Sequence, residues 1–491
     1  MAACAGTSSC RAKTRPSSWP TRERNSLGSA ETADYGLLSP AWAGTRAAAL
    51  TSDEALLQAM LDVELEWLRV LASAGLINSG IPDAVAPACQ ASRYDIADLA
   101  ARAQGGGNPV IPLLADLRAL VRGDAPGAAG PIHKAATSQD ILDSALMLMA
   151  ARTLETILAD ARRVETALGA LARRHAGTVS VARTLTQHSL PSTFGLKAAQ
   201  WLHGIGQATA ALENTAASLP LQWGGASGTM AALTTAADAA DRSPLALAAD
   251  LAGRLGLADP VAPWQTNRLP VTRLGASLAD LLAAAGKISN DVLLLSRPEI
   301  GEVSEPREAG RGGSSAMPQK QNPVLSVLIR SAALAAPGYT AMLQAAAGAA
   351  DDDRPGGSWH VEWQALRQLL RLAGGALAKL AELTEGLTVH TDAVARNLEL
   401  AGPLVVSEKV MARVAPLLDD GVPGQGKKRV QEIVARSLAG EDFAELLRGI
   451  VPAGELADQE ITELLDPANY LGQSDALISR IVSAYPGRMN A

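Results

Sequence analysis

From Thr51 onward, apolar side chains return every three or four positions. Leu56, Leu57, Met60, Leu61, Val63, Leu65, Leu68 and Leu71 follow that spacing; Ser52 and Asp53 can cap the start, and Gly75 ends it. A longer helix is expected over 140–175, where Leu154, Ile157, Ala161, Val164, Leu168 and Leu171 alternate by three and four, the seam of a bundle. At 1.5 Å per residue it would span roughly 54 Å. Similar stretches lie at 191–219, 243–255, 271–295, 324–347 and 359–387, and no run of short alternating strands with turn signals interrupts them. After Val389 the pattern shortens, broken by Gly402 and Pro403, by the glycines of 421–426 and again at 452–454. The fold class this predicts is all-α, with three helical domains: 34–137, a central long-helix bundle over 138–388, and 389–491. Residues 1–33 are rich in Ser, Arg and Thr with almost no large aliphatics, and read as a disordered extension without the apolar core of a secretory signal.

The composition narrows the packing and the partners. Hydrophobic residues make up 48% of the 491, but aromatics only 3%, so Ala and Leu must fill a core of closely approaching helices. So many apolar faces are hard to cover within one chain, and oligomerisation is expected. A net charge of −7 argues against a nucleic-acid or anionic-membrane partner, and leaves room for a local cationic pocket. Residues 331–350 carry no charge and mimic a membrane span, yet Pro337, Gly338, Tyr339 and Gln344 with many alanines suit a bundle helix better. Cys4, Cys10 and Cys89 show neither a CxxC pair nor a histidine at metal spacing, which fits a reduced cytoplasmic protein. Asp351, Asp352 and Asp353 precede a helix and read as caps rather than metal ligands. The segment 421–427 nearly spells a phosphate loop, but Lys428 stands where Ser or Thr is required and no strand precedes it. Neither a metal nor a cofactor is expected.

The chemistry concentrates in residues 312–323, GGSSAMPQKQNP, wedged between two helical stretches. Its glycines allow positive φ, so that successive N–H groups can turn inward around an anion; two hydroxyls, a cation and a carboxamide follow, stiffened by Pro318 and Pro323. This is a loop suited to a carboxylate-rich substrate. A second candidate is the helix start at 131–140, PIHKAATSQD, where Thr137 and Asp140 match a capping box and the remaining N–H groups and hydroxyls can bind an anion.

The 313–323 loop resembles the Gly-Ser-Ser-x-Met-Pro-x-Lys-x-Asn-Pro signature of the fumarase/aspartase superfamily at every fixed position. The resemblance implies a homotetramer of pooled bundles whose sites form between subunits. It implies Ser315 as the catalytic base and Lys320 and Asn322 as carboxylate ligands, with Ser314 beside them. The matching His-x-x-x-Thr-Ser-x-Asp segment adds His133 as a catalytic candidate and Thr137 and Ser138 as substrate contacts. Residues 183–195, RTLTQHSLPSTFG, resemble a further superfamily segment and contribute Thr184 and Gln187. There Leu185 occupies a frequent histidine position, and His188 lies three residues on. Without that acid the leaving group must depart unprotonated, as a carboxylate can because its conjugate acid has a pKa of about 4.

Three more segments are similar to those of 3-carboxy-cis,cis-muconate cycloisomerases: 221–229 (LQWGGASGT), 263–268 (PWQTNR), and Asp353 and Arg354 followed by 359–363 (WHVEW), which add Arg354 and His360. That likeness implies interconversion of 3-carboxy-cis,cis-muconate and 4-carboxymuconolactone, a step in protocatechuate breakdown, by proton abstraction α to a carboxylate. Another superfamily lyase, of the adenylosuccinate or argininosuccinate type, or a non-enzymatic protein retaining the fold are the alternatives. Lys134 and Ala135 stand where relatives carry an aromatic and a glycine, and Gln319 and Gln321 replace a histidine and an arginine. These departures bear on which polycarboxylate fits.

Overall fold

The helix Ser138–Arg174 runs for 37 residues, about 55 Å, and the rest of the bundle is arranged along it. The structure, a computed structural model, describes residues 34–238, 241–313, 316–317 and 319–486; the expected extension 1–33, with Cys4 and Cys10, lies outside them. Residues from Tyr35 onward form one compact unit. Beside Ser138–Arg174 stand Phe194–Ala216, Leu269–Leu295, Val324–Gly348 and Gly357–Gly386, each close to the limits its apolar spacing predicts. The fold is all-α apart from two short two-stranded pairings among the described residues.

Side-chain contacts fix the directions of the helices. Trp359 Nε1 donates to Asp143 near one end and Arg163 pairs with Glu385 near the other, so Ser138–Arg174 and Gly357–Gly386 run parallel. Trp201 reaches Asp291 and Thr215 reaches Ser277, which makes Phe194–Ala216 antiparallel to Leu269–Leu295. A Cβ on Gly286 would lie 2.7 Å from Ala333 Cβ, and one on Gly275 2.4 Å from Leu343 Cδ1. Val324–Gly348 therefore descends against Leu269–Leu295 at a separation only small residues permit.

One hydrophobic core joins the N-terminal helices to the bundle, and a second, smaller core gathers Val405, Val410, Val430, Phe443 and Leu447 with Val181. The last helix, Ser474–Ala484, returns to the bundle through Ile478, Ile481 and Val482. Ser52 accepts from Ala55 N at 3.1 Å to open the helix Asp53–Ser73, and Gly75 ends it at φ 76°. Val324–Gly348 is the one helix among the described residues long and apolar enough to cross a membrane by length and composition, with 28% of its most apolar window buried. Its inner face packs on the two neighbouring bundle helices, while Val327, Leu334 and Met342 stay exposed.

The segment after Ser138–Arg174 is extended, and it delays until Phe194 the helix expected from 191. Val179–Thr184 and Gln187–Thr193 pair as an antiparallel hairpin, so Arg183 faces His188 across the ladder. Leu185 and Thr186 form its tip at φ 50° and 69°.

Candidate active site

The candidate residues assemble into two groups at opposite ends of the bundle. Leu269–Leu295 has 27 residues, so its ends lie about 40 Å apart. Its beginning meets the starts of Ser138–Arg174 and Gly357–Gly386; beyond its end come the signature loop and the hairpin that precedes Phe194–Ala216.

At the first end, Asp140 carries out the capping and more. Its buried carboxylate accepts from Thr137 N at 3.0 Å, Gly224 N at 2.8 Å, Gly225 N at 3.0 Å and Gln222 Nε2 at 3.2 Å. Burial pushes this carboxyl up to about 6, against four N–H donors that pull it down. The Thr137 hydroxyl accepts from Arg354 Nη2 at 2.9 Å, and Arg354 Nε donates to Gln139 Oε1 at 3.3 Å. Thr137, half-buried Ser138 and Arg354 thus meet at one helix N-terminus, where the dipole and free donors favour an anion. His133 lies four residues earlier with φ 63°, its Nδ1 2.7 Å from Glu64 Oε1. His360 Nε2 lies 2.7 Å from the Gly107 carbonyl, which clasps the start of Gly357–Gly386 to the first helical region. Asp351 Oδ1 accepts from Gly356 N at 3.2 Å just ahead of that helix.

At the second end, the loop is pinched at its base. Asn322 N and Nδ2 both donate to Gly312 O, at 2.8 and 3.0 Å, and Gly313 bridges Gln321. Gly312 has φ 69°, and a Cβ there would fall 2.5 Å from Asn322 O, so this position requires glycine. Lys320 and Asn322 are exposed, whereas Ser314 and Ser315 lie outside the described residues. Glu305 reaches across the loop to accept from Leu325 N, Ser326 N and Ser326 Oγ at 3.0, 2.7 and 2.6 Å, capping Val324–Gly348. Thr184 and Gln187 flank the hairpin tip, exposed, and Leu185 between them is 95% exposed. Arg183 anchors the hairpin by pairing with buried Glu302 at 2.6 Å.

A lyase family model matches residues 47–338, more than half of the chain. Nitrosuccinate lyase of Streptomyces davaonensis is 44% identical over 91% of this chain and 94% of that one. The 3-carboxy-cis,cis-muconate cycloisomerase of Bradyrhizobium diazoefficiens is 36% identical over 91% and 98%. Among solved structures, 3-carboxy-cis,cis-muconate lactonizing enzyme from Pseudomonas putida superposes with a TM-score of 0.81 at 34% identity, covering 90% of this chain and 96% of that one.

The chain belongs to the lyase family of the fumarase/aspartase superfamily.

Superfamily enzymes act on small polycarboxylate substrates and are usually oligomeric. Two of the segments that resemble the cycloisomerases, 263–268 and 359–363, meet in a buried strut. Arg268, 2% exposed, donates to both carboxylate oxygens of Asp143 at 2.7 and 3.0 Å and reaches Glu362 Oε2 at 2.7 Å, with Trp264 stacked on its guanidinium at 4.6 Å. Burial alone would lower the guanidinium, but Asp143 and Glu362 outweigh it and hold it above its ordinary value. Trp359 and Gln139 complete the ligands of Asp143.

Glu64 and Asp140 are functional candidates not singled out from sequence. Glu64 had a legible signal: it interrupts the apolar stripe that contains Met60, Leu61, Leu68 and Leu71, and is fully buried there. Asp140 was visible as a cap, but its hold on Gly224 and Gly225, more than eighty residues away, was not. His175, His203 and His390 contact Thr178, Tyr485 and Ser304, at 3.2, 3.1 and 3.0 Å, as ordinary structural partners.

Proposed function

We propose that this enzyme removes a proton α to a carboxylate of a succinate-like substrate and expels a weakly basic leaving group, with nitrosuccinate as the substrate and fumarate and nitrite as products. Ser315 takes the proton, the C–H electron pair becomes the new C=C bond, and the C–N pair leaves with nitrite. A serine is a poor base unless its anion is stabilised, which loop N–H groups and Lys320 can provide. Lys320, Asn322 and Ser314 hold the dianion that develops on the adjacent carboxylate, the largest contribution to the rate. Thr137, Ser138, Arg354 and His133 hold the second carboxylate, and Thr184, Gln187 and His360 contact the rest of the substrate.

The observation that carries this reading is Leu185. It stands bare at the hairpin tip where several relatives present a histidine, so that position offers no acid to the departing group. Nitrite, like a carboxylate, is the conjugate base of a fairly strong acid and needs none. The 44% identity with a nitrosuccinate lyase supports the same choice. Conversion of 3-carboxy-cis,cis-muconate is the second reading, favoured by the 263–268 and 359–363 segments. Arg268, Trp359 and Glu362 of those segments are buried in the strut, so they speak for a shared scaffold more than for a shared substrate.

The two groups, about 40 Å apart along one bundle, can serve one reaction only if copies of the chain lie side by side and antiparallel, so that one copy's first end meets another's second end. A homotetramer would do this by covering the exposed apolar face of Val324–Gly348.

The test is to mix the purified chain with nitrosuccinate, 3-carboxy-cis,cis-muconate, adenylosuccinate and argininosuccinate and follow nitrite, fumarate and ultraviolet absorbance. Nitrite and fumarate are expected in equal amounts from the first, and Ser315→Ala should slow their release by about 10²–10⁴-fold without dissociating the oligomer. Lactone formation alone would favour the second reading, and no turnover of any of the four would favour a non-enzymatic role.

A further inference from the structure

Glu64 is a carboxylate in a place that apolar residues usually occupy. It lies on the core face of Asp53–Ser73 with 0% exposure, and such a charge is retained only with a partner. Its one hydrogen-bond partner among the described residues is His133, whose Nδ1 lies 2.7 Å from Oε1; Oε2 has none. The same helix holds the His133 segment one turn further on, where Trp67 Nε1 donates to Lys134 O at 2.8 Å. Arg118 Nη2 donates to Ile132 O at 2.8 Å, and Lys134 Nζ to Leu76 O at 3.1 Å. These contacts surround two non-glycine residues at positive φ, His133 at 63° and Ala135 at 60°. Such a backbone persists only where its surroundings over-determine it, and it recurs at functional sites.

A histidine's second nitrogen is set by what the first one bonds. A carboxylate can only accept, so Nδ1 carries the hydrogen and Nε2 is left as the ring's other polar atom, on a side chain 14% exposed. His133 stands four residues before Thr137, whose hydroxyl Arg354 already holds.

We propose that Glu64 is a positioning residue, which fixes the tautomer and orientation of His133 so that Nε2 meets the substrate beside Thr137 and Arg354. This rests on the dicarboxylate reading above and adds to it a residue that touches no substrate itself. The interaction is carried by one buried acceptor, which makes it separable from packing: Gln keeps an acceptor, and Leu keeps most of the volume without one.

The test is a mutant cycle on full-length protein, using nitrosuccinate turnover and, as a readout independent of chemistry, calorimetric titration of fumarate. Glu64→Leu should lower kcat/KM by about ten- to a hundredfold, the range of a hydrogen bond to a charged group. Glu64→Gln should recover most of that. In a His133→Ala background, Glu64→Leu should cost no more than about twofold, because the effect passes through the ring. Should Glu64→Leu not fold, Glu64→Asp, which draws the acceptor back by one methylene, takes its place with the same expected order. An equal loss with and without His133, or Glu64→Gln as poor as Glu64→Leu, would overturn the proposal while the substrate reading stood. A wild type that neither turns over nitrosuccinate nor binds fumarate would instead overturn the substrate reading, and the inference would fall with it.

Discussion

Replacing Arg268 by Met probes what the cycloisomerase-like segments are for. Arg268 is the only charged partner of Asp143 and Glu362 in the described structure, at 2.7 Å from each, and all three side chains are at most 3% exposed. Met roughly fills the volume but leaves two carboxylates buried without a counter-charge. Breaking a buried ion pair from one side costs about 3–5 kcal/mol, and here one removal orphans two groups, so the upper end of that range is expected. Burial already raises the Glu362 carboxyl, and without Arg268 it moves further above its unfolded value, near 4. The destabilisation is therefore absent below about pH 4 and grows as pH rises through the folded value of Glu362. Urea unfolding at a fixed protein concentration, at pH 5 and pH 8, reads both the size and the slope. Adding Asp143→Asn and Glu362→Gln to Arg268→Met should restore most of the loss. A loss under about 1 kcal/mol, or one equal at the two pH values, would refute the strut and return these residues to the substrate pocket.

Two further outcomes follow from the backbone and from burial near the first end. Ala135→Gly should stabilise the chain by about 0.5–1 kcal/mol in the same unfolding assay, because Ala135 sits at φ 60° where a side chain is strained; a loss of stability would contradict that. Asp140 has a folded value of about 6 against an ordinary 3.8, so it contributes stability that is complete below about pH 4 and lost as pH rises to about 6. The gap corresponds to roughly 3 kcal/mol, and Asp140→Asn should flatten stability across that window.

The long helices were legible because their burial repeats at the period the sequence shows. Leu154, Ile157, Ala161, Val164 and Leu168 are all buried, and the observed bounds fall within about three residues of those expected. The hairpin was not legible: its strands alternate weakly, Pro191 interrupts the second, and its turn uses Leu185 and Thr186 in place of the usual Gly or Asn. The signature loop announced itself through its residue types, and just before it Gly312 occupies a position that requires glycine, since a Cβ there would meet Asn322. The strut escaped recognition because Asp143, Arg268 and Glu362 are distant in sequence and resemble substrate ligands in composition. What unites them is burial, which appears only once the helices are assembled.

In the proposed function, each site takes its carboxylate-binding helix start and its signature loop from different copies of the chain. Complementation tests it most directly: His133→Ala and Lys320→Ala variants are purified apart, then unfolded and refolded together. Each alone should be nearly inactive, and the equal mixture should recover up to about a quarter of wild-type turnover, since random assembly leaves that share of sites intact. A mixture no more active than the two separate variants, with mixed oligomers demonstrably formed, would contradict the claim.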